Sequence, residues 1–412
     1  MKKTAIKLQR DPIKLGIFFD QKILVGGGFQ QSLNAALLAK KLPNNIVSIK
    51  YFTNIKENIN FLKSFGLEAE FIKFNFFQRA LLILHRLARE SMIFYWTSFF
   101  FKFNVFNLFL KKNKFDLVYF LSPTTLAANL ENTNFMITIW DLCHRDYPEF
   151  PEVRSGTNFS SREFLFNNIL KKSAAIIAES QLGKFNISAR YGVNESRIHI
   201  LPFAPSISTQ IKKYVKHTNI RKKFKLKTEY IFYPAQFWPH KNHIYILRGI
   251  KNLEDSFGVV ISVIFSGGDQ GNMQYISNMA YKLGISSRVH FAGFVNDNEI
   301  VDLYKQSFAL VMPSYFGPTN LPPLEAFHLE VPVLYSDLPG FREEVGKAAL
   351  LMDLSNSNSM AHQLNRLYKN PKLKMRLIKE GKKIINQFND QKRLLILENI
   401  IKDFTNIRDC WE

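Results

Sequence analysis

The stretch Ser314-Tyr-Phe-Gly-Pro-Thr-Asn-Leu-Pro-Pro-Leu-Glu-Ala326 joins a polar, turn-rich loop to the start of a predicted helix. Proline suits the first helical positions, because it has no N–H to lose there and its φ is already set. The unpaired N–H groups of such a turn, with the positive end of the helix dipole, can bind phosphate. Glu325, which the pattern places in the first turn, would repel phosphate and suits neutral hydroxyls such as those of a ribose. The stretch therefore predicts a nucleotide-sugar pocket, and the alternative is an ordinary strand-to-helix connection.

The segment Leu321-Pro-Pro-Leu-Glu-Ala326 resembles the second half of the Glu-x7-Glu signature of the family 4 retaining glycosyltransferases, which have the GT-B fold. The resemblance implies that Glu325 holds the donor ribose. The first Glu of the signature, which handles the donor sugar's hydroxyls in the family, corresponds to Gly317 here. Gly317 would allow close backbone approach, with Thr319 and Asn320 supplying polar contacts and the amides near Asn320 and Leu321 facing the diphosphate.

A second signature is Tyr230-Ile-Phe-Tyr-Pro-Ala-Gln-Phe-Trp-Pro-His-Lys-Asn-His243, an apolar strand followed by a proline-broken loop that presents Gln236, His240 and Lys241. Lysine carries a compact charge with three donors and is a common choice for neutralising a diphosphate. The resemblance implies this role for Lys241. The family's Gly-Arg pair is replaced by Ala235-Gln236, so one cation is missing and Gln236 can donate only a neutral hydrogen bond. The alternative for Lys241 alone is a solvated surface charge.

Alternating strands and helices predict a doubly wound α/β fold for the second half of the chain. Residues 259–265 form a continuous apolar run, which is typical of a buried parallel strand, and Gly267 follows in a turn at its carboxyl end. The strand and turn at residues 289–295 resemble the family segment that contacts the nucleobase, which makes Phe294 and Val295 candidate base contacts. A core position is the alternative for Phe294.

The first half has a similar but weaker pattern. Gly26, Gly27 and Gly28 lie between a short apolar strand and an amphipathic helix, where glycine lets a substrate approach the backbone closely. The resemblance implies that this loop reaches the donor phosphates and the acceptor. At a later strand end the family carries His-Asp, whereas this chain has Trp140-Asp141 with His144 three residues on. We predict Asp141 and His144 as active-site residues, and a structural hydrogen bond is the alternative for His144.

A chain of 412 residues is too long for one core and predicts two domains. We expect two Rossmann-like domains that face each other across a cleft. The predicted boundaries are 1–203 for the first domain, 204–228 for the connection, 229–390 for the nucleotide-sugar-binding domain and 391–412 for a helix that returns to the first domain.

Composition narrows the function further. The two cysteines cannot form a disulfide framework, and the lysine-rich start lacks the apolar region of a signal peptide, so we expect a cytoplasmic protein. The net charge of +21 attracts phosphate groups, but no zinc-finger spacing or RNA-binding signature accompanies it, which disfavours nucleic acid as a partner.

Residues 71–110 mix many aromatic side chains with basic ones. Such a mixture is what a helix needs to lie on an anionic membrane surface, which suggests a peripheral protein of the inner face. Two alternatives are helices packed on the first sheet and a membrane span at residues 92–110, which contain one charged side chain, Lys102.

These observations lead to one hypothesis. The chain is predicted to be a retaining glycosyltransferase that moves a hexose-type sugar from a nucleotide-diphosphate donor to a glycan or lipid-linked acceptor in polysaccharide synthesis. We expect Lys241 to stabilise the leaving diphosphate, with Asp141 and His144 near the reaction. The resemblance implies no cofactor and no metal, in line with the lack of an Asp-x-Asp motif. The alternative is a catalytically inactive sugar- or nucleotide-binding scaffold.

Overall fold

The computed structural model describes residues 11–22, 26–74, 76, 105–128, 130, 132–210, 217–317, 319–387 and 389–411. Two parallel β-sheets, each covered by helices, organise this part of the chain. The predicted α/β class with two Rossmann-like doubly wound units is therefore confirmed.

The first sheet consists of seven strands that pair in parallel along their apolar runs. They are β1 (Ile13–Phe19), β2 (Val47–Thr53), β3 (Ala69–Phe71), β4 (Leu117–Phe120), β5 (Asn134–Ile139), β6 (Ala175–Ala178) and β7 (Ile198–Ile200). Their order is β3-β2-β1-β4-β5-β6-β7, so the chain turns back at β1 and places helices on both faces. Strands β4 and β6 are buried at every residue, as a central parallel strand requires.

The second sheet consists of six strands, again all parallel. They are β8 (Tyr230–Pro234), β9 (Ser262–Ser266), β10 (Val289–Phe291), β11 (Ala309–Met312), β12 (Val333–Ser336) and β13 (Ala349–Met352). Their order is β10-β9-β8-β11-β12-β13, with the reversal at β8. Ligands of open α/β sheets bind at the carboxyl ends of strands beside such a reversal.

Helices fill the connections between the strands, and short 3₁₀ turns occupy Glu195–Arg197, Pro239–Lys241 and Ser286–Arg288. The helices of the first half are α1 (Gly27–Ala39), α2 (Asn58–Ser64), α3 (Val105–Asn113), α4 (Thr125–Ala128), α5 (Pro151–Arg154), α6 (Asn158–Ile169), α7 (Gln181–Tyr191), α8 (Ile207–Gln210) and α9 (Ile220–Lys223). Those of the second half are α10 (His243–Phe257), α11 (Met273–Lys282), α12 (Asp297–Lys305), α13 (Leu321–His328), α14 (Pro339–Val345), α15 (Asn358–Lys369), α16 (Pro371–Gln387) and α17 (Asp390–Arg408).

The last helix, α17, packs on the first domain although it follows the second in sequence. Its apolar face, which includes Leu397, Ile401 and Phe404, is buried in the same core as β1. Arg393 Nε donates to the carbonyl of Pro202 at 3.0 Å, and the Arg393 side chain is almost wholly buried. This helix therefore braces the two domains together.

Two details differ from the sequence prediction. The apolar positions Leu364, Leu367, Met375 and Leu377 predict helices that pack on the second domain, but Met375 is 63% exposed, whereas the other three are buried. Strand β13 was not predicted, and it adds a sixth strand at the edge beside β12.

The aromatic, basic segment falls largely outside the described residues, which exclude 75 and 77–104. The membrane-docking prediction and the suggested span at 92–110 therefore remain predictions. Within the described ranges, no helix combines the length and the apolar character needed to cross a membrane.

Candidate nucleotide-sugar site

The loops at the carboxyl ends of the strands enclose two adjoining cavities between the domains. The larger has a volume of about 520 Å³ and the smaller about 360 Å³. Both are lined by residues from both domains, and they share part of their walls. The shared residues are Trp140, Phe203, Trp238, His240, Lys241, Thr319 and Asn320.

Most of the predicted site residues line one of these cavities. The larger contains Gly26, Gly27, Gly28, Gln236, His240, Lys241, Gly267, Phe294, Val295, Thr319, Asn320, Leu321 and Glu325. The smaller contains Asp141 and Gly317 as well as the shared residues. His144 lines neither.

Lys241 lies on the wall common to both cavities, at the end of the 3₁₀ turn after β8. Its carbonyl accepts a hydrogen bond from the buried Tyr233 hydroxyl at 2.9 Å, which anchors the loop. Its Nζ lies 3.4 Å from Ser314 Oγ. Burial lowers the pKa of Lys241 to about 8, although Asp141 and Glu152 oppose this shift. A buried ammonium of this kind gains most from an anion that replaces its lost hydration.

Glu325 faces the larger cavity from α13. Because the helix begins at Leu321, Glu325 lies beyond the first turn, which contains no acidic residue, and the predicted first-turn position is wrong. Its Oε2 accepts a hydrogen bond from Tyr304 at 2.6 Å, and Ser206, which directly precedes α8, also bonds to Glu325. Burial raises its pKa, and these hydrogen bonds oppose the increase. The carboxylate is thus held rigidly with its acceptor atoms at the cavity.

Phe294 is 71% exposed, so its alternative assignment to the core is wrong. It lies in the larger cavity beside Gly268, where a Cβ would approach the Phe294 ring to 2.9 Å. Gly267 has a φ of +146°, and a Cβ there would lie 2.5 Å from the carbonyl oxygen of Ala235. The two glycines therefore let the loops after β8, β9 and β10 pack closely enough to form one wall.

Gln236 bridges two loops on the same wall. Its Oε1 accepts hydrogen bonds from Trp238 Nε1 at 3.0 Å and from Gln270 at 3.3 Å. The oxygen is thereby fixed, and the amide N–H₂ is the remaining donor for a ligand. Gln236 can therefore donate a neutral hydrogen bond at the position where the family that this sequence resembles has an arginine.

The glycine triplet of the first domain, in which Gly26 precedes α1 and Gly27 and Gly28 begin that helix rather than forming the predicted loop, approaches the second domain closely. A Cβ on Gly26, whose φ is +81°, would lie 3.7 Å from Gln236 Nε2, and one on Gly27 would lie 3.2 Å from Leu321. At Gly28 a Cβ would meet the Trp140 ring at 2.7 Å. The triplet thus accommodates both the Trp140 indole and the facing domain.

The backbone N–H of Asn320, which was expected to face the diphosphate, already donates a hydrogen bond within the protein. It donates to Glu344 Oε1 at 2.9 Å, and Glu344 Oε2 accepts from the Tyr335 hydroxyl at 2.9 Å. Burial raises the pKa of Glu344 to about 8. The assignment of this amide to the diphosphate is therefore wrong, because its hydrogen is used within the protein; the Asn320 side chain donates to Tyr335 at 2.7 Å.

Gly317 occupies the wall of the smaller cavity. Its N–H donates to Cys143 Sγ of the first domain at 3.2 Å, and its φ of +94° suits glycine. A Cβ here would lie 2.9 Å from the carbonyl oxygen of Thr319. The backbone therefore does approach closely at this position, but no carboxylate projects from it.

The Arg162 guanidinium, which was not predicted from the sequence, fixes the Asp141 carboxylate. Arg162 Nη2 donates to Asp141 Oδ1 at 2.6 Å, and the amide of Cys143 donates to the same atom at 3.0 Å. Burial would raise the pKa of Asp141, but Arg162 and these hydrogen bonds outweigh it and lower the pKa. Asp141 is thus an ionised, paired carboxylate at the edge of the smaller cavity.

His144 lies behind this cavity and has no exposed surface. Its Nε2 is 2.7 Å from Glu163 Oε1, and its ring packs against Phe166 and Phe159. Burial is the largest influence on its pKa and lowers it. This geometry gives His144 the structural hydrogen bond that was its alternative assignment and places it away from the ligand space.

Glu152 was also not predicted as a site residue, and it connects the two domains through hydrogen bonds to His240. Its Oε1 accepts hydrogen bonds from the His240 amide at 3.0 Å and from His240 Nδ1. The His240 ring stacks on Phe316 at a centroid distance of 4.2 Å, and its burial lowers its pKa to about 4, which leaves it neutral near pH 7. The partners are 88 residues apart, so no local pattern could have revealed the pair.

Two parallel-sheet domains that face each other across a cleft are the architecture of the GT-B fold. Residues 216–384 match the family described as glycosyl transferases group 1. This match covers less than half of the chain and lies in its second half, and the two sheets together have the GT-B fold.

Two mannosyltransferases each match about half of this chain. The O-antigen chain mannosyltransferase RfbU of Salmonella typhimurium is 27% identical over 196 residues, which are 48% of this chain and 51% of RfbU. The serotype-specific mannosyltransferase WbdA of Escherichia coli is 25% identical over 215 residues, 50% of this chain and 26% of WbdA. The chain thus spans about half the length of the first relative and about a quarter of the second.

Solved structures match the whole fold. HepE of Anabaena, solved in complex with UDP and glucose, superposes with a TM-score of 0.72 at 14% identity, covering 95% of this chain and 100% of HepE. WaaG, a glycosyltransferase involved in lipopolysaccharide biosynthesis, gives a TM-score of 0.63 at 15% identity, covering 94% and 99%. These similarities show that this chain shares the two-domain fold of both proteins.

Proposed function

We propose that this protein transfers a hexose from a nucleotide-diphosphate donor to a glycan or lipid-linked acceptor. The proposal rests on the position of Lys241, whose buried ammonium lies on the wall shared by the two adjoining cavities. A nucleotide sugar has its diphosphate between the nucleoside and the sugar, so one cation between two pockets matches its charge distribution.

The donor extends across both cavities in this proposal. The base lies beside Phe294 and Val295 in the larger one, and the ribose hydroxyls donate to Glu325. The diphosphate lies at Lys241 with a neutral hydrogen bond from Gln236, and the sugar enters the smaller cavity. Phe294 offers an exposed aromatic face for stacking, and Glu325 is fixed by Tyr304, which supports these assignments.

Transfer breaks the bond between the anomeric carbon and the diphosphate oxygen and forms a bond from that carbon to an acceptor hydroxyl. Negative charge accumulates on the departing diphosphate, and Lys241 stabilises it in a site partly shielded from water. The acceptor hydroxyl gives up its proton, for which the departing phosphate oxygen is the acceptor. Retention of configuration and independence of metal are the outcomes that the resemblance to the retaining family implies.

The acceptor approaches from the first domain, past Gly26–Gly28, in this account. RfbU is named an O-antigen chain mannosyltransferase and WbdA a serotype-specific mannosyltransferase, which supports a hexose donor and a surface-polysaccharide product. A lipid-linked acceptor would place the protein on the inner face of the membrane, where its positive charge would favour anionic lipids.

Calorimetric titration with UDP, GDP, ADP and dTDP, with and without EDTA, tests the proposal. One nucleotide should bind, with affinity unaffected by EDTA, and should raise thermal stability by about 2.7 kcal/mol at a hundredfold excess over Kd. Glu325→Gln should weaken that binding at least tenfold, because a charge-assisted bond to the ribose is lost. Glu330→Gln is the matched control, since Glu330 is an exposed carboxylate just after the same helix, paired with Lys382. If none of the four nucleotides binds, the donor site does not exist as proposed.

A further inference from the structure

Three residues that line the smaller cavity, two of them on the wall shared with the larger one, each carry a buried polar atom that has no hydrogen-bond partner within the described residues. These atoms are Trp140 Nε1, Glu152 Oε2 and Thr319 Oγ1. Buried polar atoms are normally paired, because an unpaired one loses its hydrogen bonds to water without compensation. Three such atoms at one cavity indicate a ligand that supplies their partners.

Glu152 is the charged member of this set and is held in place by its other oxygen. Its side chain is 11% exposed, and Oε1 is fixed by the amide and ring of His240. Burial raises the pKa of Glu152, but the His240 bonds and a backbone bond outweigh it and lower the pKa, so the carboxylate is ionised at neutral pH. The unpaired Oε2 is therefore a preorganised acceptor on a rigid support.

The three atoms have complementary hydrogen-bonding roles. The Trp140 indole can only donate, the Glu152 carboxylate can only accept, and the Thr319 hydroxyl can do both. Adjacent hydroxyls of a neutral sugar can satisfy all three, since each hydroxyl donates one hydrogen and accepts others. A carboxylate on the ligand would face Glu152 and Asp141 together, and Asp141 is already neutralised by Arg162. The set therefore selects a neutral sugar.

We propose that Glu152 is a specificity-determining residue that binds a hydroxyl of the transferred sugar through Oε2, with Trp140 and Thr319 as its partners. This inference rests on the proposed donor site. It gives the cleft a carboxylate where Gly317 presents none, and it takes that carboxylate from the opposite domain. Because His240 of the second domain holds Glu152 of the first, sugar recognition requires both domains in contact.

The test compares the affinities of a nucleotide diphosphate and its hexose conjugate. Wild-type protein, Glu152→Gln and Trp140→Phe are titrated calorimetrically with UDP, GDP, ADP and dTDP and with UDP-glucose, GDP-mannose, ADP-glucose and dTDP-glucose. Trp140→Phe keeps an aromatic ring beside Gly28 but removes the indole donor. The matched control is Glu343→Gln, because Glu343 also joins the domains, through the amides of Gln181 and Leu182, but lines neither cavity.

The inference predicts that Glu152→Gln weakens binding of the preferred nucleotide hexose at least tenfold and leaves the free diphosphate within about twofold. Trp140→Phe should lower the hexose affinity by a smaller factor, about threefold to tenfold, and Glu343→Gln should change neither. If Glu152→Gln and Trp140→Phe lose affinity equally for the diphosphate and for its hexose conjugate, the inference would be overturned, because the two residues would then have a structural role. Unchanged hexose affinity in both would overturn it while leaving the proposed donor site intact. Absence of diphosphate binding in wild-type protein would overturn both.

Discussion

Raising the pH from 7 to 9 should weaken nucleotide-diphosphate binding through Lys241. Burial lowers the pKa of this ammonium to about 8 in the ligand-free protein. Above that value the free site loses its charge and must take up a proton before it can neutralise the diphosphate. The phosphates themselves do not titrate in this interval, because their last pKa is about 6. His240 is neutral throughout, since its pKa is about 4.

The magnitude follows from the charged fraction of Lys241. With a pKa of about 8, roughly 90% of the free protein carries the charge at pH 7 and roughly 10% at pH 9. The Kd should therefore rise about tenfold, which corresponds to about 1.4 kcal/mol. Calorimetry in buffers of different ionisation enthalpy measures both the Kd and the proton uptake, which should approach one proton per ligand at pH 9.

Two variants isolate the lysine from other titrating groups. Lys241→Met should bind weakly and show no pH dependence of this origin, whereas Lys282→Met, which changes an exposed lysine in the last turn of α11, should behave as wild type. A wild-type Kd that does not change between pH 7 and 9, or an equal pH dependence of the Kd in Lys241→Met, would show that Lys241 does not neutralise the diphosphate. Lys241→Met should also raise the ligand-free unfolding free energy by up to about 3 kcal/mol, because the buried charge is removed.

Three further perturbations test other parts of the site. Burial lowers the pKa of His243 to about 3, so the unfolded chain binds more protons below about pH 6.5 and stability falls as the pH falls. Between pH 6.5 and 4, the unfolding free energy of His243→Phe, measured by urea denaturation, should fall by up to about 3 kcal/mol less than that of the wild type. An identical fall in both proteins would contradict this assignment. Phe294→Ala should weaken nucleotide binding about fivefold to a hundredfold without changing ligand-free thermal stability, because the ring is exposed and acts through stacking; unchanged affinity in calorimetry would exclude that role. Gly267→Ala should destabilise the protein by about 1–3 kcal/mol in denaturant titration, through a Cβ placed 2.5 Å from the Ala235 carbonyl oxygen. Gly284→Ala, where a Cβ meets nothing within 4 Å, should cost less.

The parts of the site that could be predicted from sequence are those encoded by local pattern. Lys241 follows an apolar strand in a proline-broken loop, and Glu325 follows a proline-primed helix start, so local pattern was enough to place Lys241 after a strand and Glu325 near the start of a helix. The helix nevertheless begins at Leu321, and this shift moves Glu325 beyond the first turn. Continuous apolar runs such as β9 likewise indicated parallel strands, because both faces of such strands are buried.

The parts that could not be predicted depend on contacts between distant residues. Glu152 meets His240 across 88 positions, and Arg162 pairs with Asp141 only because α6 packs behind β5. The occupied amide of Asn320 was missed for the same reason, since Glu344 reaches it from the following helix. Local patterns identify which groups a loop can present, whereas tertiary packing decides which of those groups are already paired.

The fate of a bound nucleotide hexose distinguishes a glycosyltransferase from a protein that only binds nucleotide sugars. The purified protein is incubated with UDP-glucose, GDP-mannose, ADP-glucose and dTDP-glucose, and the free sugar is followed by proton NMR at the anomeric position. The account predicts slow release of diphosphate from one donor, with the sugar appearing first in the donor's own anomeric configuration, and loss of this release in Lys241→Met. A donor that binds but releases no diphosphate above the Lys241→Met background would contradict it and indicate a nucleotide-sugar-binding protein.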